Sequence, residues 1–197
     1  MKTIITLIAL ASTATFSWIE FKGTDSKIIE EAVQRALQVN GVDLVQLKQL
    51  TISGKKLEEL DRLKDVTAIE DLNLSDSQIE DLIPLGQLEN LIVLDLSKNK
   101  ISDLSPLTGL AKLSYLNLNQ NQVESLEPLR KMPELVGLIL AGNNQADLSP
   151  LMEMKNLRSL YLSLGPNLSQ ANFDQIQKAL PNCKVTVVSS IECLQSQ

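Results

Sequence analysis

The chain has no histidine, only 3% aromatic residues and just two cysteines, Cys183 and Cys193. Without histidine it lacks the usual general base and the commonest transition-metal ligand, and two cysteines far from any other soft ligand do not build a zinc site. The sequence therefore points to no metal centre, no cofactor and no enzyme. Lys and Arg never gather into a run, and the formal net charge is −6. Nothing is present to displace counterions from a phosphate backbone, so nucleic acid is not the expected partner. Scarce aromatics also dictate the core. With 44% hydrophobic residues, it must be filled by Leu, Ile and Val, which suit repeated layers better than a few large anchors.

Those aliphatic residues recur with a period of 22: Leu47, Ile69, Leu91, Leu113, Leu135 and Leu157 begin near-copies of one unit. In the unit starting at Leu91, Leu94, Leu96, Ile101, Leu104, Leu107 and Leu110 follow at positions 4, 6, 11, 14, 17 and 20. Five full units give 35 such positions, and all but Gln145 are apolar, where composition alone predicts about half. Gln145 is expected to turn to solvent while Ala146 fills its layer. Leu94 and Leu96 alternate with Val93, Asp95 and Ser97, the pattern of a short strand with one buried side. A single unit cannot bury its leucines alone, so stability must come from stacking. Asn99, Asn121 and Asn143 stand where each strand turns away, and their amides are suited to pair backbone groups that the turn leaves open. Pro84, Pro106, Pro128 and Pro150 fix φ at the start of each return.

The L-x-x-L-x-L-x-x-N pattern of Leu91 to Asn99, Leu113 to Asn121 and Leu135 to Asn143 resembles the leucine-rich repeats. The 22-residue length and the D-L-x-P-L tail, seen at Asp81, Asp103 and Asp147, resemble the bacterial internalin-type subclass. The resemblance covers residues 47–168, about 5.5 units. It implies an α/β solenoid, a horseshoe whose strands form a parallel concave sheet.

Such a stack needs closed ends. A helix is expected over Asp25 to Gln38, making 18–46 an N-terminal helical cap like that of internalin-type proteins. Residues 169–197 read as a C-terminal helix-strand cap: a helix from Ser169 carrying Phe173, Ile176 and Leu180, a stop at Pro181, then a strand over Lys184 to Val188. Cys183 and Cys193 flank that strand and in an oxidising compartment are candidates for a disulfide; the alternative is that Cys183 is simply a buried residue of the cap. Residues 1–17, with Lys2, the apolar run Ile4 to Ala11 and small residues thereafter, have the form of a signal peptide with the mature chain starting near Trp18. The expected destination is secreted or periplasmic, without membrane insertion once the leader is removed. An uncleaved anchor and a cytosolic protein are the alternatives.

The concave sheet is the usual binding surface of leucine-rich repeats, and three outward columns are read off the strands. The first runs Gln49, Asp71, Val93, Tyr115, Gly137, Ser159. Beside it stand Thr51, Asn73, Asp95, Asn117, Ile139, Tyr161, then Ser53, Ser75, Ser97, Asn119, Ala141, Ser163. Their character changes along the stack, and both tyrosines of the chain lie in its C-terminal half. Gly137 beside Tyr115 is expected to leave a hollow for a partner's side chain. The candidate partner-binding residues are Asp71, Val93, Asp95, Tyr115, Asn117, Ile139 and Tyr161, with a protein as partner. The plainer alternative is that the tyrosines are good strand residues packing on Ile139. A regulatory subunit or inhibitor of an enzyme, cytosolic if the leader is not a signal, would use the same surface. Catalysis has only Asp71 and Asp95 on adjacent strands to offer, and no insertion interrupts the period to form a pocket around them.

Overall fold

The computed structural model describes residues 18–22, 47–53, 60–143, 147–163 and 168–188. The leader, the helix expected over Asp25 to Gln38, Gln145, Ala146 and Cys193 lie outside these.

Each unit contributes one strand to a single parallel sheet whose spatial order is the chain order, from β1 (Trp18–Lys22) to β8 (Lys184–Val188). Between them run β2 (Gln49–Ser53), β3 (Asp71–Asn73), β4 (Val93–Asp95), β5 (Tyr115–Asn117), β6 (Gly137–Ile139) and β7 (Ser159–Ser163). Register follows the 22-residue period without a slip, so Leu50, Leu72, Leu94, Leu116, Leu138 and Leu160 form one row across the sheet. Apart from Leu57 and Gln145, which are not described, every one of the 35 repeat positions is buried. Removing such a Leu from water contributes about 1.5–3 kcal/mol before entropy, and the stack does this layer upon layer in one continuous core.

The asparagine column performs the expected task. Asn99 Oδ1 accepts from the backbone N–H groups of Ser77 and Ile79 at 3.0 and 2.9 Å, and its Nδ2 donates to the carbonyls of Leu74 and Leu96 at 2.9 Å each. Asn121 takes the Ile101 N–H at 3.0 Å and reaches Leu96 and Leu118. Asn143 repeats the arrangement with Val123, Leu118 and Leu140. Just before this column the chain passes through left-handed backbone at Asp76, Lys98, Gln120 and Gly142, again every 22 residues. Only Gly142 meets that φ of 72° without steric cost.

On the outer side each return is a short 3-10 helix: Leu60–Asp65, Ile83–Gln87, Ser105–Gly109, Glu127–Lys131 and Ser149–Glu153. From Ile83–Gln87 onward, each has its proline in the first turn. The aspartate of the D-L-x-P-L tail, to which the sequence reading gave no task, closes the entry turn. Asp81, Asp103 and Asp147 accept the N–H two residues on at 2.8 Å, and Ser125 does so more loosely at 3.3 Å. These bonds from Ser105 and Ser149 hold the Asp103 and Asp147 carboxyls below their ordinary values.

Two parts of the sheet differ from the sequence reading. Within the segment expected to be a helical cap, Trp18–Lys22 forms strand β1 and lengthens the sheet, pairing Trp18 with Gln49 and Lys22 with Ser53. The third column is not outward in the middle of the stack: Ser97, Asn119 and Ala141 are 9%, 6% and 0% exposed. Strands β3 to β6 are only three residues long, and the chain bends inward before the seventh position of the unit can alternate outward.

After β7, helix α1 (Gln170–Ala179) starts at the N-cap Ser169, whose Oγ accepts the Asn172 N–H at 3.1 Å. It buries Ile176, and Leu180 follows into the same core, while Phe173 is half-buried. Strand β8 then pairs with β7. Cys183 packs half-buried against the core between them, and burial pushes its thiol up, with Arg158 partly offsetting this. No helix of the described residues is long and apolar enough to cross a membrane.

Asn121→Ala leaves the buried Ile101 N–H without a partner and removes one of the two amide bonds to each of the Leu96 and Leu118 carbonyls, and should cost about 2 kcal/mol in urea unfolding. Asn143→Ala, at a half-buried position open to replacement by water, should cost clearly less. Equal losses at both would refute a ladder whose worth depends on its burial.

Candidate binding face of the sheet

With the third column turned in, two columns remain on the open face between β2 and β7. They change character in one place. Val93, Asp95, Tyr115, Asn117, Ile139 and Tyr161, six of the seven residues expected to bind a partner, line one depression of ≈ 290 Å³. Asp71, the seventh, lies one strand beyond it on β3.

Tyr115 is 49% exposed, one of three large apolar residues so placed among those described. Its ring is held by what Gly137 lacks. A Cβ on Gly137 would stand 2.5 Å from Tyr115 Cδ1 and 2.8 Å from Cε1, well inside contact distance. The Tyr115 ring therefore lies against the β6 backbone and fills the space the sequence reading left open above Gly137. Gly137 fixes the ring, and the ring walls the depression shared with Ile139 and Tyr161, both half-buried.

The polar members of the face are partly committed to the fold. Asn73, Asp95 and Asn117 each bend the chain after their strand by accepting the N–H two residues on, from Ser75, Ser97 and Asn119, at 2.9, 2.8 and 3.0 Å. Asn117 Nδ2 also donates to Asp95 Oδ2 at 3.0 Å. Ile139 is the first residue of the column unable to continue this pattern, which is why the polar ladder gives way to apolar surface at β6. Asp95 and Asn117, expected from the sequence to bind a partner, thus have a second duty, for which the D/N-x-S/N spacing carries the signal.

Asp71 stands apart electrostatically. Among the described residues no hydrogen bond or ion pair reaches its carboxylate, and burial, then the neighbouring Asp95 charge, push its carboxyl above the ordinary value. The pair is diagonal in register, Asp71 facing Val93 and Asn73 facing Asp95. Lys48 pairs with Glu70 at 2.6 Å, Lys100 with Glu80 at 3.4 Å, and Arg130 with both Glu127 and Glu153, none of them with Asp71.

A family model described as leucine-rich repeats (2 copies) matches residues 67–109 and 89–131. No curated protein matches the chain. Among solved structures, the internalin C2 of Listeria monocytogenes is similar at 26% identity and a TM-score of 0.65, over 77% of this chain and 67% of that one. A second internalin of that organism aligns at 24% identity and 0.61, over 77% of this chain and 45% of its own length. A leucine-rich-repeat protein of Leptospira interrogans aligns at 25% and 0.61, over 72% and 37%. The chain thus spans less than half the length of the latter two. It carries leucine-rich repeats and is similar in fold to the bacterial internalins.

Because the folded pKa of Asp71 is raised, its contribution to stability is fully present below the unfolded value and is lost as pH rises through the folded one. Asp71→Asn should therefore raise the melting temperature at pH 7, and the gain should shrink as the pH falls through the carboxylate range. A gain that persists unchanged at pH 3 would refute the electrostatic origin.

Proposed function

We propose that this leucine-rich-repeat chain is an exported interaction module that holds a protein partner across β4 to β7 and catalyses nothing itself. The observation that carries the reading is the half-exposed Tyr115, seated on Gly137 at the edge of a depression where the polar ladder stops. Tyrosines in that setting give a partner large contact area at low entropic cost, and such residues dominate binding energy at protein interfaces. From β2 to β7 the only aromatics of the strands are these two tyrosines, and both line the recess. Export rests on the form of residues 1–17 alone: a basic start, an apolar run and small residues before Trp18.

Tyr115→Ala with Tyr161→Ala should weaken partner capture at least a hundredfold while the thermal transition stays cooperative. Capture that survives both changes in a folded protein would move the interface off this face. Sequencing the N-terminus of chain recovered from the exported fraction should begin at or near Trp18; recovery only inside cells, with Met1 intact, would overturn export.

A further inference from the structure

The bends that follow β3, β4 and β5 each use an acceptor oxygen at their first residue, and a neutral amide serves. Asn73 and Asn117 do this on either side of Asp95, at 2.9 and 3.0 Å against 2.8 Å. The negative charge of Asp95 is thus surplus to the bend. Its second oxygen accepts from the neutral amide of Asn117, which leaves that charge uncompensated. One strand away, the half-buried Asp71 carboxylate has no partner at all among the described residues. The two outward columns from β2 to β7 contain no Lys or Arg, so these are the only charges there and both have the same sign. An Asp71 carboxylate that serves no bond of the fold, beside an Asp95 charge that the bend does not need, calls for a cation from outside.

The apolar half of the arrangement is fixed relative to them. Asp95 itself lines the depression, and Asp71 is in register with Val93, which is in register with Tyr115. Two strand spacings, about 10 Å, separate Asp71 from the tyrosine. We propose that the occupant of this face is a protein segment that sets a lysine or arginine against Asp71 and Asp95 and an apolar side chain in the depression of Tyr115, Ile139 and Tyr161. The inference rests on the docking reading above and adds to it the chemistry of the partner. A neutral saccharide would use the tyrosines but leave both carboxylates uncompensated.

The test is selection of a phage-displayed random dodecapeptide library on the full chain at low salt, repeated on Asp71→Asn/Asp95→Asn and on Tyr115→Ala. Recovered peptides should be enriched in Lys or Arg within a few residues of Leu, Phe or Trp. Retention should fall at least tenfold on the double amide variant and vanish on Tyr115→Ala. Peptides that depend on Tyr115 but show no cationic bias, or bind the double amide variant equally well, would overturn the cationic partner while leaving the docking face intact. Peptides indifferent to Tyr115, or no enrichment over the empty support, would overturn both. A neutral oligosaccharide retained on a glycan array through Tyr115 would assign the face to a sugar and also end the proposal. The amide variant should melt no lower than the parent, which keeps a loss of binding separate from a loss of fold.

Discussion

Each asparagine amide of the ladder, at Asn99, Asn121 and Asn143, completes the backbone of the repeat before its own. Asn99 accepts the N–H groups of Ser77 and Ile79 and donates to Leu74, all one unit earlier, while also tying Leu96 in its own unit. A repeat therefore has no finished turn until the next one is in place, and its leucines have no second wall until then either. Polar satisfaction and apolar burial impose the same neighbour-to-neighbour dependence. Everything else, from the straight register of the sheet to the spacing of the outer helices, follows from meeting that dependence every 22 residues.

That constraint leaves the sheet face little room for variation, and the variation it permits is informative. With three-residue strands, only two outward positions per repeat escape the core, and in Asn73, Asp95 and Asn117 one of those is claimed by the bend that follows. Where the claim lapses, at Ile139, the surface turns apolar and Tyr115 can lie down on Gly137. The recess and the uncompensated charge of Asp95 are thus departures from a repeat that otherwise explains its residues as scaffold. Function is most readily sought where the scaffold has no use for what is there.

Much of this was legible in the sequence because period and alternation are geometric. The leucine rows, the asparagine ladder and the proline-led returns follow from spacing, as does the helix beginning at Ser169. Other features depend on things spacing does not carry. Ser97, Asn119 and Ala141 turn inward because the strands end two residues before them, which simple alternation does not register. Strand β1 emerges only from its pairing with β2, a contact between segments about thirty residues apart. The hollow expected at Gly137 was the right place with the wrong occupant: the missing side chain admits a ring from within the chain, and only coordinates show which way Tyr115 leans.

The turns on the two sides of the solenoid are closed by different chemistry. Beside the sheet the buried acceptors are amides, which do not titrate; on the outer side Asp81, Asp103 and Asp147 do the corresponding work with carboxylates, two of them held below their ordinary values by it. Whatever those carboxylates contribute is present above the ordinary carboxylate pKa and is lost as acid protonates them through the lowered one. The molecule is in that sense two-sided toward acid: on its back the turns closed by Asp103 and Asp147 weaken as the proton binds, while the turn closed by Ser125 and the amide ladder have no titrating acceptor.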